Sequence, residues 1–494
     1  MSRIFITGMS PMPFENDKKV YGTGIRTWHF ILPLLKMGHK ICVCNYAIPS
    51  AYPEDFESKY IKNFVYRTGL EDKESGYEFE YNILKKDDFE DIELLSEIFN
   101  RFKPDCIVGC TFYPSYIASK LSRLQDDKNI TSVPFWADLF GHVMAEAQAR
   151  AYVDGDDSCL FHYWNSEYNI ISNADIFSCV SSRQKYALVG ELGAAGRLNR
   201  YTAGYDFGVV IPCGISEGEY MHTKNVIRGK HGIKDDDFVV LWTGGYNTWT
   251  DVDTLFKGLI YAMEKNPEIK FVSTGGEIPE QDLKTYPYFL SLIDTGPCRD
   301  RFIMKGWVPG EDVPNYYLEA DTGINIDKNI YEVKLGSKNR ILDWFKAGLC
   351  VLSSNVCELT DIIEKEKIGY TFKPGDYKDL GEKLIYLADH RDEITKTAKA
   401  GKEYALHNFN FDTTTRVLQK WVEKPSFSPD RGKERKLFFS REEALNNLEQ
   451  IVLRQRKMIE ERDARIQELE GIVEKGFVYK IYTYFKILKR KISG

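Results

Sequence analysis

Lys338, Arg340 and Asp343 share one stretch, Gly336-Ser-Lys-Asn-Arg-Ile-Leu-Asp-Trp-Phe-Lys-Ala-Gly348, where a polar, basic loop opens a short helical pattern. A helix N-terminus behind such a loop offers unpaired N–H groups and the positive end of the helix dipole to an anion. Lys338 and Arg340 add fixed positive charge suited to phosphate. Asp343 falls about one turn further in and can present an acceptor to the same ligand, such as a ribose hydroxyl. These residue types in this order fit a nucleotide-diphosphate pocket. They also fit an ordinary loop–helix–strand unit with a solvated basic loop.

Asp138 and His142 form a second cluster, just past an expected strand at 132–136. Open α/β sheets bind ligands outside the carboxyl ends of their strands. A carboxylate there can orient a reacting hydroxyl or ease developing charge. The plain alternatives are a helix N-cap for Asp138 and a satisfied structural histidine for His142. A third candidate is the glycine turn Tyr21-Gly-Thr-Gly-Ile-Arg26, where Gly22 and Gly24 let backbone approach a ligand or simply make a tight turn. A third glycine at dinucleotide-fingerprint spacing is missing.

The elements that must position these residues alternate. Residues 3–8, 41–44, 104–110, 132–136 and 175–180 read as strands, with helical patterns between several of them, and 209–215 close the first half. The second half repeats the plan at 238–243, 270–274, 302–306, 322–326, 349–353 and 370–372. Repeated βα units predict parallel, doubly wound sheets. Residues 51–100 are polar and charged, with helical periodicity only near 92–99.

At 494 residues the chain suits two domains plus an appendage. A net charge of −7 argues against a general nucleic-acid binder. Ten cysteines occur without zinc spacing, and those in apolar strand patterns read as buried thiols in a reducing compartment. The start of the chain runs straight into a strand pattern, and no apolar run reaches membrane-span length, so a cytoplasmic protein is expected.

The 336–355 stretch resembles the donor-nucleotide segment of the retaining family four of GT-B glycosyltransferases. Asp343, Gly348 and Val351-Leu352 carry the match, with Asp where that family usually has Glu. Gly38-His39 and the hinge-like Ile211-Pro-Cys-Gly214 extend it, so that it covers residues 1–424. The resemblance implies two Rossmann-like domains facing a cleft, a nucleotide-diphosphate sugar as donor and retention of anomeric configuration. It implies no metal and no cofactor beyond the donor substrate. The family pattern also carries a second acidic residue, eight positions before the one matched by Asp343. Leu335 stands there, and Glu332 is the nearest candidate for that role. Gly245, Asn247 and Thr248 stand where the family carries a paired Arg and Lys, and Trp307 and Val308 where it cradles the base. Asp138, His142 and Glu332 are thus the catalytic candidates. Gly22, Gly24, Gly245, Asn247, Thr248, Trp307, Val308, Lys338, Arg340 and Asp343 are the donor-binding ones.

The expected domains are 1–214 on the acceptor side and 215–404 on the nucleotide-sugar side, followed by a crossover helix (405–424) and a linker (425–440). Leu445, Val452, Ile459, Ile466 and Val473 then recur every seven residues, predicting a coiled coil over 441–476 and a homo-oligomer. The tail, 477–494, mixes aromatic residues with Lys480, Lys486, Lys489, Arg490 and Lys491 and suits an anionic membrane surface. Together these features predict a hexosyltransferase acting on a glycan acceptor, with a lipid-linked one favoured by the tail. Two other readings are a sugar-nucleotide epimerase of the same fold and a non-catalytic scaffold for polysaccharide assembly.

Overall fold

A computed structural model describes residues 1–15, 18–67, 76–127, 132–279, 281–433 and 436–492. The chain forms two compact units, Met1–Arg431 and Gly432–Gly494.

The first unit holds two sheets. Strands β1 (Arg3–Ser10), β2 (Lys40–Ala47), β3 (Lys59–Arg67), β4 (Gly76–Leu84), β5 (Cys106–Gly109), β6 (Phe135–Asp138), β7 (Ile176–Cys179) and β8 (Gly208–Val210) form an 8-stranded sheet. Its order is β3-β4-β2-β1-β5-β6-β7-β8. Strand β1 is central, with Ile4 opposite both Ile41 and Cys106 in parallel register. Its continuous buried run reflects helices on both faces.

Strands β9 (Phe238–Thr243), β10 (Ile269–Thr274), β11 (Phe302–Gly306), β12 (Thr322–Asn325), β13 (Cys350–Ser354) and β14 (Tyr370–Phe372) form the second sheet, in the order β11-β10-β9-β12-β13-β14. All its pairings are parallel. The chain winds one way from β9 and the other way from β12, so a topological switch point lies between them.

Strands β3 and β4 depart from expectation. They are antiparallel to each other and fall in the polar 51–100 region. Their alternating aromatic residues, Phe64, Tyr66, Phe79 and Tyr81, pack with Trp28 and Phe14 on one face, while charged residues cover the other.

Two passages join the domains. Ile215 N–H donates to Phe409 O at 2.8 Å, and Phe411 N–H donates back to Ile215 O at 3.2 Å. The helix Arg391–Asn408 ends there, and Asn410 caps the short helix Phe411–Thr414 by accepting from Thr413 N–H. The crossover expected as one helix is therefore broken at the hinge. Its last part, Arg416–Glu423, packs on the first domain, with Trp421 5.4 Å from Trp136 and Ser2 Oγ bonded to Val422 O.

The expected linker starts later than 425. Asp430 is fully buried and accepts from Arg197 at 3.1 and 2.9 Å. Ser428 donates twice to Asp175 Oδ1, at 2.8 and 3.0 Å. Buried charges of this kind are held only where paired and hydrogen-bonded, so 425–431 belong to the first unit. Residues 434–435 of the expected linker lie outside the described residues.

The second unit is one helix, Lys436–Ile492, of 57 residues. The expected coiled coil and tail are continuous with no break at 476, although residues 493–494 of the tail lie outside the described residues. Leu445, Val452, Ile459, Ile466 and Val473 are all exposed along it. Among the described residues, no helix is long and apolar enough to cross a membrane.

Candidate functional site

The second domain's switch point is built from the turns that leave β9 and β12. Gly244 follows β9 with φ +91°, and the neighbouring Gly275 (φ +115°) would place a Cβ 2.0 Å from Gly244 O. Backbone packs on backbone here, and side chains are excluded. Beyond β12 the chain passes Asp327, forms the short helix Tyr331–Leu335, and enters the helix Asn339–Ala347. Lys338 is the N-cap of that helix, and its side chain makes no cap hydrogen bond. Gly348 ends the helix at φ +73°, a left-handed C-cap that suits glycine.

Lys338 is 8% exposed, with Nζ 3.6 Å from Asp327 Oδ2 and 3.9 Å from Glu332 Oε2. Arg340 lies 4.0 Å over the Trp242 ring and donates from Nη2 to Gly245 O at 3.3 Å. Its Nη1 is buried without a hydrogen-bond partner among the described residues, and burial lowers the pKa of the guanidinium. Asp343 Oδ1 accepts from the Tyr220 hydroxyl at 3.0 Å, and burial pushes the carboxyl up to about 6. Burial, reinforced by the charges of Asp327 and Glu146, pushes Glu332 up to about 7 against the pull of Lys338. The site therefore holds two cations, a carboxylate near neutrality and a helix N-terminus around one loop.

The flanking candidates divide. Asn247 Oδ1 is buried and has no partner among the described residues, leaving an acceptor available. Thr248 is buried and its carbonyl receives Lys328 Nζ at 2.8 Å. A Cβ on Gly245 would fall 2.4 Å from Ile278 side-chain carbons. Trp307 is 45% exposed, bonds Glu277 O through Nε1 and carries Lys19 Nζ 3.5 Å from its ring centre. Val308 is half-buried against the core of the second domain.

The first domain supplies the facing wall. Gly22 opens the helix Gly22–Lys36, and a Cβ there would lie 3.0 Å from Asn339 Nδ2. Two helix N-termini, one from each domain, thus meet at this point. Gly24 has a different reason for its glycine: a Cβ would sit 2.0 Å from Pro11 O, so its own loop fills the space expected for a ligand.

Asp138 is neither the free cleft carboxylate nor the N-cap expected. It is fully buried and accepts from Arg26 twice, from Ser178 Oγ at 2.7 Å and from Thr111 N–H at 3.2 Å. Both oxygens are engaged, which leaves no geometry for proton transfer to a substrate. The N-cap is His142, which opens the helix Val143–Asp154 and accepts from Ala145 N–H at 3.2 Å. Its Nε2 lies 3.0 Å from Glu191 Oε1. His142 also lines a cavity of about 840 Å³ together with Met144, Gln148, Tyr152, Tyr331 and Leu335. Residues of both domains form this cavity.

Arg26, Tyr220 and Asp327 hold the candidate residues Asp138, Asp343 and Lys338 in place, and sequence reasoning missed them. Arg26 had a signal, a lone cation among the apolar helical positions Trp28, Ile31 and Leu32. Tyr220 and Asp327 had none, because their partners come from elsewhere in the chain.

Residues 237–390 match the family described as Glycosyl transferases group 1. Over 86% of its length the chain is similar to sucrose-phosphate synthase of Thermosynechococcus elongatus, with TM-score 0.59, 14% identity and 99% of that structure covered. It is similar to Anabaena Alr3699/HepE in complex with UDP-glucose, with TM-score 0.57 and 11% identity over 86% of this chain and 100% of that one. The fold is GT-B. A further relative is YtcC of Bacillus subtilis (strain 168), provisionally named a glycosyltransferase and 22% identical over 249 residues. That match spans 49% of this chain and 58% of the relative's own length. The group 1 match spans β9 to β14, the sheet that carries Lys338, Arg340 and Asp343.

Proposed function

We propose that the protein is a retaining glycosyltransferase that moves a hexose from a nucleotide-diphosphate sugar to a glycan acceptor. The observation that carries this reading is the meeting of two helix N-termini at Gly22 and Asn339, beside Lys338 and Arg340 at the switch point. Glycosyl transfer develops negative charge on the departing diphosphate, and preorganised N–H groups and cations stabilise it as it forms. Arg340, with one buried nitrogen unpaired, takes a phosphate oxygen, and Lys338 takes a second. Asp343 holds a ribose hydroxyl, for which Tyr220 keeps the carboxyl oriented. Glu332 faces the reacting sugar and, poised near neutrality, gives up or takes a proton at small cost. No metal has a place in this scheme.

Support comes from the GT-B fold, the group 1 match and the UDP-glucose named with the Anabaena protein. Acceptor binding falls to the cavity beside His142, Tyr152 and Tyr331. The basic, aromatic end of the long helix, which suits the cytoplasmic face of a membrane, supports a lipid-linked acceptor in cell-surface polysaccharide synthesis. Thermal shift against a panel of sugar nucleotides tests donor choice, since a ligand that binds the native state raises stability. Slow donor hydrolysis and an unchanged anomeric configuration in the product are the expected results. Interconversion of free sugar nucleotides, or no nucleotide binding at all, would reject the reading.

A further inference from the structure

Three helices of the first domain bring His142, Glu167 and Glu191 together, with one ligating atom from each lying within 4.8 Å of the others. His142 begins the helix Val143–Asp154, Glu167 lies on Leu160–Asn173 and Glu191 on Ser182–Ala194. Glu167 is only 5% exposed, yet its Oε2 has no hydrogen-bond partner among the described residues. Glu191 Oε2 is likewise buried and unpartnered. Met144 N–H is the backbone donor to Glu167. A buried carboxyl oxygen with no partner is costly, and here two such oxygens, Glu167 Oε2 and Glu191 Oε2, belong to one cluster with His142. We propose that His142, Glu167 and Glu191 form a binding site for a divalent transition-metal cation of the zinc type.

The donor set is one imidazole nitrogen and two carboxylate oxygens, which suits zinc with a fourth position left for water. Zinc draws such atoms to about 2.0–2.2 Å from the ion, so the side chains must close in from their present spacing. The His142 ring can ligate through Nε2 once Nδ1 carries the proton. Ala145 N–H would then give up its 3.2 Å bond to Nδ1 but keep its bond to His142 O at 3.0 Å. Without a cation, burial and then the charge of Glu191 hold Glu167 well above the usual carboxylate range. Binding would therefore release that proton. All three ligands belong to the first domain, whereas Lys338 and Arg340 belong to the second. The cation would tie three helices together behind His142 and take no part in leaving-group departure.

The test uses the full chain stripped with a chelator and titrated with Zn²⁺ by calorimetry in two buffers of different protonation enthalpy. Saturable binding of one ion per chain with proton release is expected, and Co²⁺ in its place should show visible ligand-field bands. E167Q and E191Q should each weaken Zn²⁺ binding by about tenfold or more, while E332Q binds as the parent does. E191Q carries the comparison from the more open side of the cluster should E167Q fail to fold. No saturable binding by the parent chain, or binding by E167Q and E191Q as tight as the parent's, would overturn the proposal.

Discussion

Arg26 and Asp138, 112 positions apart, are locked together by two bonds of 3.0 and 2.7 Å with both side chains buried. The same guanidinium donates to Ile211 O and Pro212 O at the entrance to the interdomain hinge, at 2.8 and 2.9 Å. The pair is thus a structural anchor beneath the site. Asp138→Asn leaves a buried guanidinium short of its counter-charge and should cost about 3–5 kcal/mol of stability. Chemical denaturation reads this directly. A variant as stable as the parent but slow in turnover would instead return Asp138 to the catalytic group.

Lys338→Ala and Arg340→Ala should each weaken nucleotide-diphosphate binding by about 1.5–3 kcal/mol, the range for hydrogen bonds to charged groups. Arg340→Lys should recover little of it, because the stacking on Trp242 at 4.0 Å depends on a planar cation. Calorimetry with the nucleotide sugar chosen by the thermal-shift panel is the measurement. Unchanged affinity in both alanine variants would remove this loop from the donor site.

Glu332 gives a pH dependence of known sign. Its folded-state pKa of about 7 lies above the ordinary 4.5, so between these values the native state holds a proton that the unfolded chain has released. Stability from this group is present at low pH and is lost as pH rises through about 7. At about 1.4 kcal/mol per pKa unit the effect reaches about 3 kcal/mol. Glu332→Gln should therefore flatten the fall of Tm between about pH 4.5 and 7. Asp343, at about 6, adds a smaller term of the same sign.

Ending the chain after Arg431 should leave the body's Tm unchanged, whereas ending it after Lys424 should lower it. The longer form keeps Asp430 on Arg197 and Ser428 on Asp175, and the shorter one strands both buried partners. Light scattering on the longer form also tests the exposed seven-residue seam, because loss of the helix Lys436–Ile492 should reduce the number of chains per particle.

The parent chain should sediment with anionic vesicles at low salt and release at high salt, each basic residue near the surface adding about 1 kcal/mol. Removing residues 477–494 should abolish this. Equal sedimentation with and without them would mean that the tail is not the anchor.

Much of the fold was legible because parallel strands buried on both faces read as unbroken apolar runs, as in Phe238–Thr243 and Cys106–Gly109. Strands β3 and β4 were not, because Lys59–Arg67 is largely exposed at the sheet edge and its charged residues masked the alternation. The loop before Asn339 was legible from its own composition. The status of Asp138 was not, since it depends on Arg26, Thr111 and Ser178, which local spacing does not bring near it. The same holds for Glu167 and Glu191, which sit on separate helices.

The paired passages between the domains have a mechanical meaning. One covalent crossing would act as a swivel, but here Ile215 and the stretch from Phe409 to Phe411 run side by side and are bonded to each other. A doubled strap resists twisting about its own length and bends most easily across its width. Such a strap would favour a jaw-like swing of the cleft over a shear of Gly22 past Asn339. Gly214 keeps the strap thin at the bend, since a side chain there would meet His29 at 2.8 Å and Phe409 O at 3.0 Å.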